Sequence, residues 1–140
     1  MNIHFFQEDV AFAPSNQKTI QTWINEISKD HQYSITELNY IFCSDDYLLK
    51  INQEYLNHDY FTDIITFDNS EEPNKVEGDI FISIDRVKDN ASVQKTDFLD
   101  ELHRVIIHGL LHLIGYDDKS PEEKKLMNEK EDACLSLLPN

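Results

Sequence analysis

The sequence predicts an α+β fold, with one small four-stranded mixed sheet packed with about five helices in a single domain over residues 1–140. Four short stretches are enriched in β-branched and aromatic residues, and two segments of helical periodicity alternate with the early ones. After Ile84 the pattern is helical to the end. A chain of 140 residues, 40% hydrophobic and 28% charged, is long enough to build one core without disulfides.

Ile3 to Phe6 reads as the first strand. Gln17 to Asp30 reads as a helix because Ile20, Trp23, Ile24 and Ile27 share one face. Leu38 to Cys43 is the second strand, after which Ser44 is placed to cap a helix with Tyr47, Leu48, Ile51 and Tyr55 inward. Ile64 to Phe67 and Asp79 to Ile84 are the third and fourth strands. A helix from Asp85 to about Gln94, another from Asp97 to Ile114 and a last from Pro121 to Leu138 complete the chain. Asp97 is the expected N-cap of the middle one, whose VIIHGLLHLIG run is apolar enough to cross the interior before Gly115 stops it. Ser120-Pro121-Glu122-Glu123 combines an N-cap, a first-position proline and first-turn acids.

Composition excludes several classes. Three glycines and four prolines without a repeat argue against collagen-like, disordered and solenoid chains. No stretch approaches a membrane span, and the N-terminus lacks the features of a signal peptide, so a cytoplasmic protein with no membrane partner is expected. Cys43 and Cys134 fall in apolar segments and read as buried free thiols of a reducing compartment. The net charge of −15 opposes non-specific binding to nucleic acid or anionic lipid. Residues 54–79 are the most acidic stretch, with Glu54, Asp59, Asp63, Asp68, Glu71, Glu72, Glu77 and Asp79 against Lys75, and read as a solvated loop region.

The chemistry concentrates at the end of the apolar helix. His108 and His112, four apart, project from one face, as two ligands of a tetrahedral cation must. Both lie among aliphatic residues, where an unpartnered ring costs on the order of 1–3 kcal/mol. Gly115 lets the chain turn back, and Asp118, ten residues after His108, is either a third ligand or a loop and capping acid, with Asp117 as the alternative carboxylate. The glutamate of the H-E-x-x-H hydrolases is absent because Gly109 follows His108, which disfavours a peptide or amide hydrolase. Asp63 and Asp79, beside strand ends, read as residues that orient a ligand or accept a proton, or as turn and capping acids. Thr62 and Ser83 are hydroxyls able to meet a phosphate or to be satisfied locally. His103 is a core or surface histidine, His4 and His31 carry no motif, and Tyr116 packs under the Gly115 corner. Lys119, Lys124, Lys125 and Lys130, interleaved with Glu122, Glu123, Glu129 and Glu131, read as a solvated helix face.

The run from His108 to Asp118 resembles the H-G-x-L-H-L-x-G-Y-D-H pattern of the YbeY family of metal-dependent endoribonucleases, at every position but the last. Asn52 to Tyr55, Asp59 to Phe67 and Gly78 to Ser83 are similar to that family's N-x-x-Y, D-x-P-T-D-V-L-S-F and G-D-I-x-I-S segments, so the resemblance runs in order over residues 52–118. Asp118 stands where the family has its third histidine, Leu56 where it has an arginine implicated in activity, and His58 where a lysine is usual.

The resemblance implies a single-strand-specific endoribonuclease of rRNA processing, acting at the 16S 3′ end in ribosome maturation or quality control. One divalent ion, expected to be Zn2+, would be held by His108, His112 and Asp118, with Asp63 and Asp79 as further catalytic candidates and His58 and Thr62 toward substrate. The expected partners are rRNA or the pre-ribosome and a ribosomal protein or assembly GTPase. The alternative is a non-catalytic, metal-stabilised ribosome assembly factor, which the loss of a guanidinium at Leu56 favours.

Overall fold

In the computed structural model, which describes residues 2–139, a four-stranded mixed sheet carries five helices, an α+β arrangement as expected. In chain order the elements are β1 (Ile3–Gln7), α1 (Gln17–Asp30), β2 (Ser34–Cys43), α2 (Asp45–Leu56), β3 (Ile64–Asp68), β4 (Lys75–Ser83), α3 (Ile84–Gln94), α4 (Phe98–Ile114) and α5 (Pro121–Ser136). The sheet order is β1-β2-β4-β3, with β1, β2 and β4 parallel and β3 antiparallel at one edge.

Alternation builds the two faces. Leu38, Tyr40 and Phe42 of β2 and Val76, Ile80 and Ile82 of β4 point to one side, where Trp23 and Ile24 of α1 and the apolar run of α4 meet them. The other side is smaller, with Cys43, Ile65, Phe67 and Phe81 covered by Leu48 and Ile51 of α2. Two buried polar groups are satisfied within this core: the Tyr40 hydroxyl donates to the Ile106 carbonyl at 3.0 Å, and the Trp23 indole donates to the Cys134 carbonyl at 2.8 Å.

Two glycines set how closely the layers approach. A Cβ on Gly78 would lie 2.5 Å from the Phe67 carbonyl oxygen, and one on Gly109 would lie 2.9 Å from Cδ1 of Ile80. Position 109 therefore faces the sheet, and α4 crosses it with no room for a side chain.

Several boundaries differ from expectation. β2 begins at Ser34 and β4 at Lys75, because Ser34–Glu37 and Lys75–Glu77 pair across a register shift even though their side chains are mostly polar. Glu77 thus belongs to a strand and not to a solvated loop, and Asp79 lies within β4 as its place in the fourth expected strand requires. Ile84 opens α3 instead of ending β4, since the Ser83 hydroxyl accepts from the Arg86 amide as an N-cap and donates to Asp45 at 2.7 Å. That engagement leaves the Ser83 hydroxyl no phosphate role. Tyr55 is 69% exposed, not inward: its ring meets Phe67 of β3 edge-on at the rim of an open groove. α5 ends at Ser136 rather than Leu138, with Leu137 at the C-cap. Asp97 occupies the N-cap of α4 without a side-chain capping bond, whereas Ser120 forms a full capping box with Glu123. Both cysteines are buried and free. Among the described residues no helix is long and apolar enough to cross a membrane.

Candidate metal centre

The centre lies where α4 ends and the chain turns into α5. Helical spacing sets His108 and His112 one turn apart, with Nε2 atoms 3.1 Å from each other. Gly115, at φ 120°, ends the helix in a conformation that side chains rarely adopt, and the turn brings back Asp118. Asp118 Oδ2 lies 3.3 Å from His108 Nε2 and 3.4 Å from His112 Nε2. A tetrahedral ion bound at about 2.0–2.1 Å spaces its ligand atoms by roughly 3.3 Å, so the three atoms already sit at ligand separations. The residues present fit a metal, and the three form the only such group among the described residues. Asp117, the alternative carboxylate, is exposed and outside the group.

A cavity of about 290 Å³ beside this group is lined by Asp63, Glu101, Arg104, Val105, His108, Asp118 and Glu131. The Asp63 carbonyl accepts from the Ser83 amide at 2.9 Å, which ties the residue before β3 to the end of β4. Burial raises the Asp63 carboxyl above the ordinary aspartate range, and Glu131 and Asp118 add to this while His108 opposes it. Burial also raises Glu101. For His108, burial lowers the imidazole pKa, but the hydrogen bond and charge of Glu131, with Asp118 and Asp63, outweigh it, and the net shift is upward.

The other candidates divide clearly. Asp79 lies on β4 facing the opposite side, in a groove with Tyr47, Tyr55, Phe67, Asn69 and Phe81, and accepts from Asn39 at 3.0 Å. Strand alternation explains this, because its neighbours Gly78 and Ile80 take the α4 side. The Thr62 hydroxyl donates to the Ile64 carbonyl at 3.3 Å, and His58 is exposed, stacked on Tyr60 with its Nδ1 3.0 Å from the tyrosine hydroxyl. Neither lines the cavity. His103 is buried edge-on to Trp23 and is not among the three residues that could hold a metal. Tyr116 packs against the core beside His31.

The sequence reading missed Glu131, Arg104 and Glu101. Glu131 is buried, not solvated: His108 Nδ1 lies 2.6 Å from its Oε2, and Arg104 donates to its Oε1 at 2.7 Å. The signal was present in its spacing, because Met127, Glu131 and Cys134 form the buried line of α5. Arg104 and Glu101 lie one and two turns before His108 on the same face of α4.

A family model described as Endoribonuclease YbeY matches residues 2–139. A protein named Endoribonuclease YbeY from Cytophaga hutchinsonii is 62% identical over 135 residues, covering 96% of this chain and 94% of that protein. One of the same name from Parabacteroides distasonis is 45% identical over 139 residues, covering 99% and 97%. The solution structure of TM1509 from Thermotoga maritima matches with a TM-score of 0.68 and 30% identity, over 96% of this chain and 87% of that one.

Proposed function

We propose, for a chain that belongs to the YbeY endoribonuclease family, that His108, His112 and Asp118 hold one zinc ion and that the site cleaves single-stranded RNA at the 3′ end of 16S rRNA. The observation that carries this reading is the 3.1–3.4 Å triangle of two imidazole nitrogens and one carboxylate oxygen. Two neutral nitrogens and one carboxylate suit zinc. When bound, the ion supplies Lewis acidity that polarises a phosphoryl oxygen and makes water nucleophilic near neutral pH.

The chain's own groups do the rest. Asp63, lining the same cavity, takes the proton of the attacking water on a carboxylate oxygen and returns it to the departing sugar oxygen. Asn90 Nδ2, 3.5 Å from Asp63 Oδ2, steadies that carboxylate. A base on the loop before β3 answers the absence of one at position 109, where the sheet leaves no space. His58 and the Thr62 segment receive the RNA backbone outside the cavity, and Asp79 serves the sheet. Residues 1–140 act as one metallohydrolase domain in the cytoplasm, on rRNA within the pre-ribosome. There a ribosomal protein or assembly GTPase supplies the contacts that a surface of charge −15 cannot make with free RNA.

The test pairs metal analysis with cleavage. Zinc-loaded protein should cut a single-stranded 16S precursor and spare its duplex form, and His112→Ala should lose both zinc and cleavage while staying folded. Unchanged zinc stoichiometry in His112→Ala, or no cleavage by the loaded wild type, would overturn the reading.

A further inference from the structure

We infer that Glu131 is a positioning residue for this centre: its carboxylate, held by Arg104, fixes the tautomer and ring orientation of His108 so that Nε2 presents its lone pair to the ion. The inference rests on the ligand set proposed above and adds a residue outside it. A neutral imidazole has one N–H and one lone pair, and the nitrogen that meets the closer acceptor of like kind keeps the proton. Both nitrogens of His108 face a carboxylate, but Glu131 Oε2 sits 2.6 Å from Nδ1 whereas Asp118 Oδ2 lies 3.3 Å from Nε2, so the proton belongs on Nδ1 and the lone pair falls on Nε2. That nitrogen is the one directed at His112 and Asp118.

The carboxylate is itself held. Its side chain is 5% exposed, and a carboxylate so buried needs hydrogen-bonding partners to replace its lost hydration. Arg104 supplies one, through an Nη1 contact of 2.7 Å to Oε1, while its Nη2 pairs with Asp132 at the rim. Arg104 precedes His108 by one helical turn, so α4 presents guanidinium and imidazole together and α5 inserts one carboxylate between them. A tie between the two helices would need only the Arg104 contact. The second oxygen on the imidazole is what a role in orienting the ligand adds.

The experiment has two readouts. In metal-free protein at alkaline pH, where the ring is neutral, nitrogen-15 NMR should show His108 protonated on Nδ1. Glu131→Ala should turn this into a mixture of tautomers and weaken zinc binding, measured by chelator competition, by about ten- to hundredfold. Glu131→Gln, whose amide oxygen can still accept from Nδ1, should restore part of the affinity and the tautomer, and it serves where the alanine variant does not fold. A wild-type His108 protonated on Nε2, or folded Glu131→Ala with wild-type zinc affinity, would overturn the inference. Asp118→Ala separates the two readings: unchanged zinc affinity there would sink the ligand set, while the metal-free tautomer would still report on Glu131.

Discussion

Replacing Gly109 with alanine tests how α4 is seated on the sheet. Alanine is a better helix former than glycine by roughly 1 kcal/mol, so in an open helix the change would stabilise. Here the added Cβ would lie 2.9 Å from Ile80 Cδ1, 3.0 Å from Ile64 Cδ1 and 3.1 Å from Ile80 Cγ2. The methyl ends can rotate away, but Cγ2 of Ile80 belongs to a β-branched side chain that is 0% exposed and has little freedom. Overpacking of this kind costs about 1–3 kcal/mol, which leaves a net loss of about 1 kcal/mol after the helix gain. For 140 residues that corresponds to a fall in Tm of roughly 3 °C. Thermal and urea unfolding of metal-free protein measure it, and zinc affinity should hold because the methyl points away from the ligands. A variant stabilised by the full helix-propensity gain would show that the packing is slack and refute the reasoning. Gly109→Glu, which would import the hydrolase base into the same contact, should not fold at all.

Asp118→Ala should weaken zinc affinity by at least about tenfold, the lower end of what indirect ligand partners contribute, and Asp117→Ala should leave it unchanged; loss confined to the Asp117 variant would name the other carboxylate as the ligand. The raised His108 pKa makes stability pH-dependent in metal-free protein. Because the folded value lies above the ordinary 6.5, the contribution is complete below that pH and disappears as pH rises through the folded value, a slope that His108→Gln should lack in urea titrations across this range. Burial pushes the Cys43 thiol up to about 12 and that of Cys134 to about 11, so both should resist an aromatic disulfide reagent in native protein and react on unfolding. Rapid native-state labelling of either would contradict their placement.

What could be read in advance was whatever local periodicity or spacing decides. The bounds of α1 follow from one apolar stripe, and the convergence of His108, His112 and Asp118 follows from one helical turn and one glycine. Lys75 to Glu77 looked like loop because strand pairing is a property of the partner, and β2 supplied it. Tyr55 shares the helical spacing of Leu48 and Ile51, yet it meets the sheet only through the edge of Phe67 in an open groove, so most of its ring stays in solvent. Glu131 was hidden by a surrounding run of Lys and Glu that also describes a solvated face; its burial depends on Arg104 and His108, 27 and 23 residues away. Asp79 faces away from the cleft because alternation along β4 puts Ile80 and Ile82 on the α4 side, and its place beside a strand end did not show which side the cleft would occupy.

The position of α5 has a kinetic consequence. The proposed ligand Asp118 stands just before that helix, and the carboxylate against His108 stands within it. When α5 lifts from α4, an ion held there loses a ligand and the brace of another in the same event. Local openings of this kind cost less than global unfolding, so the lifetime of the bound ion should follow the opening rate of the last helix and not the intrinsic exchange of its ligands. Conversely, an ion in place deepens the docked state in proportion to its affinity, so the amides of α5 should report metal occupancy by their hydrogen-exchange protection long before the sheet does.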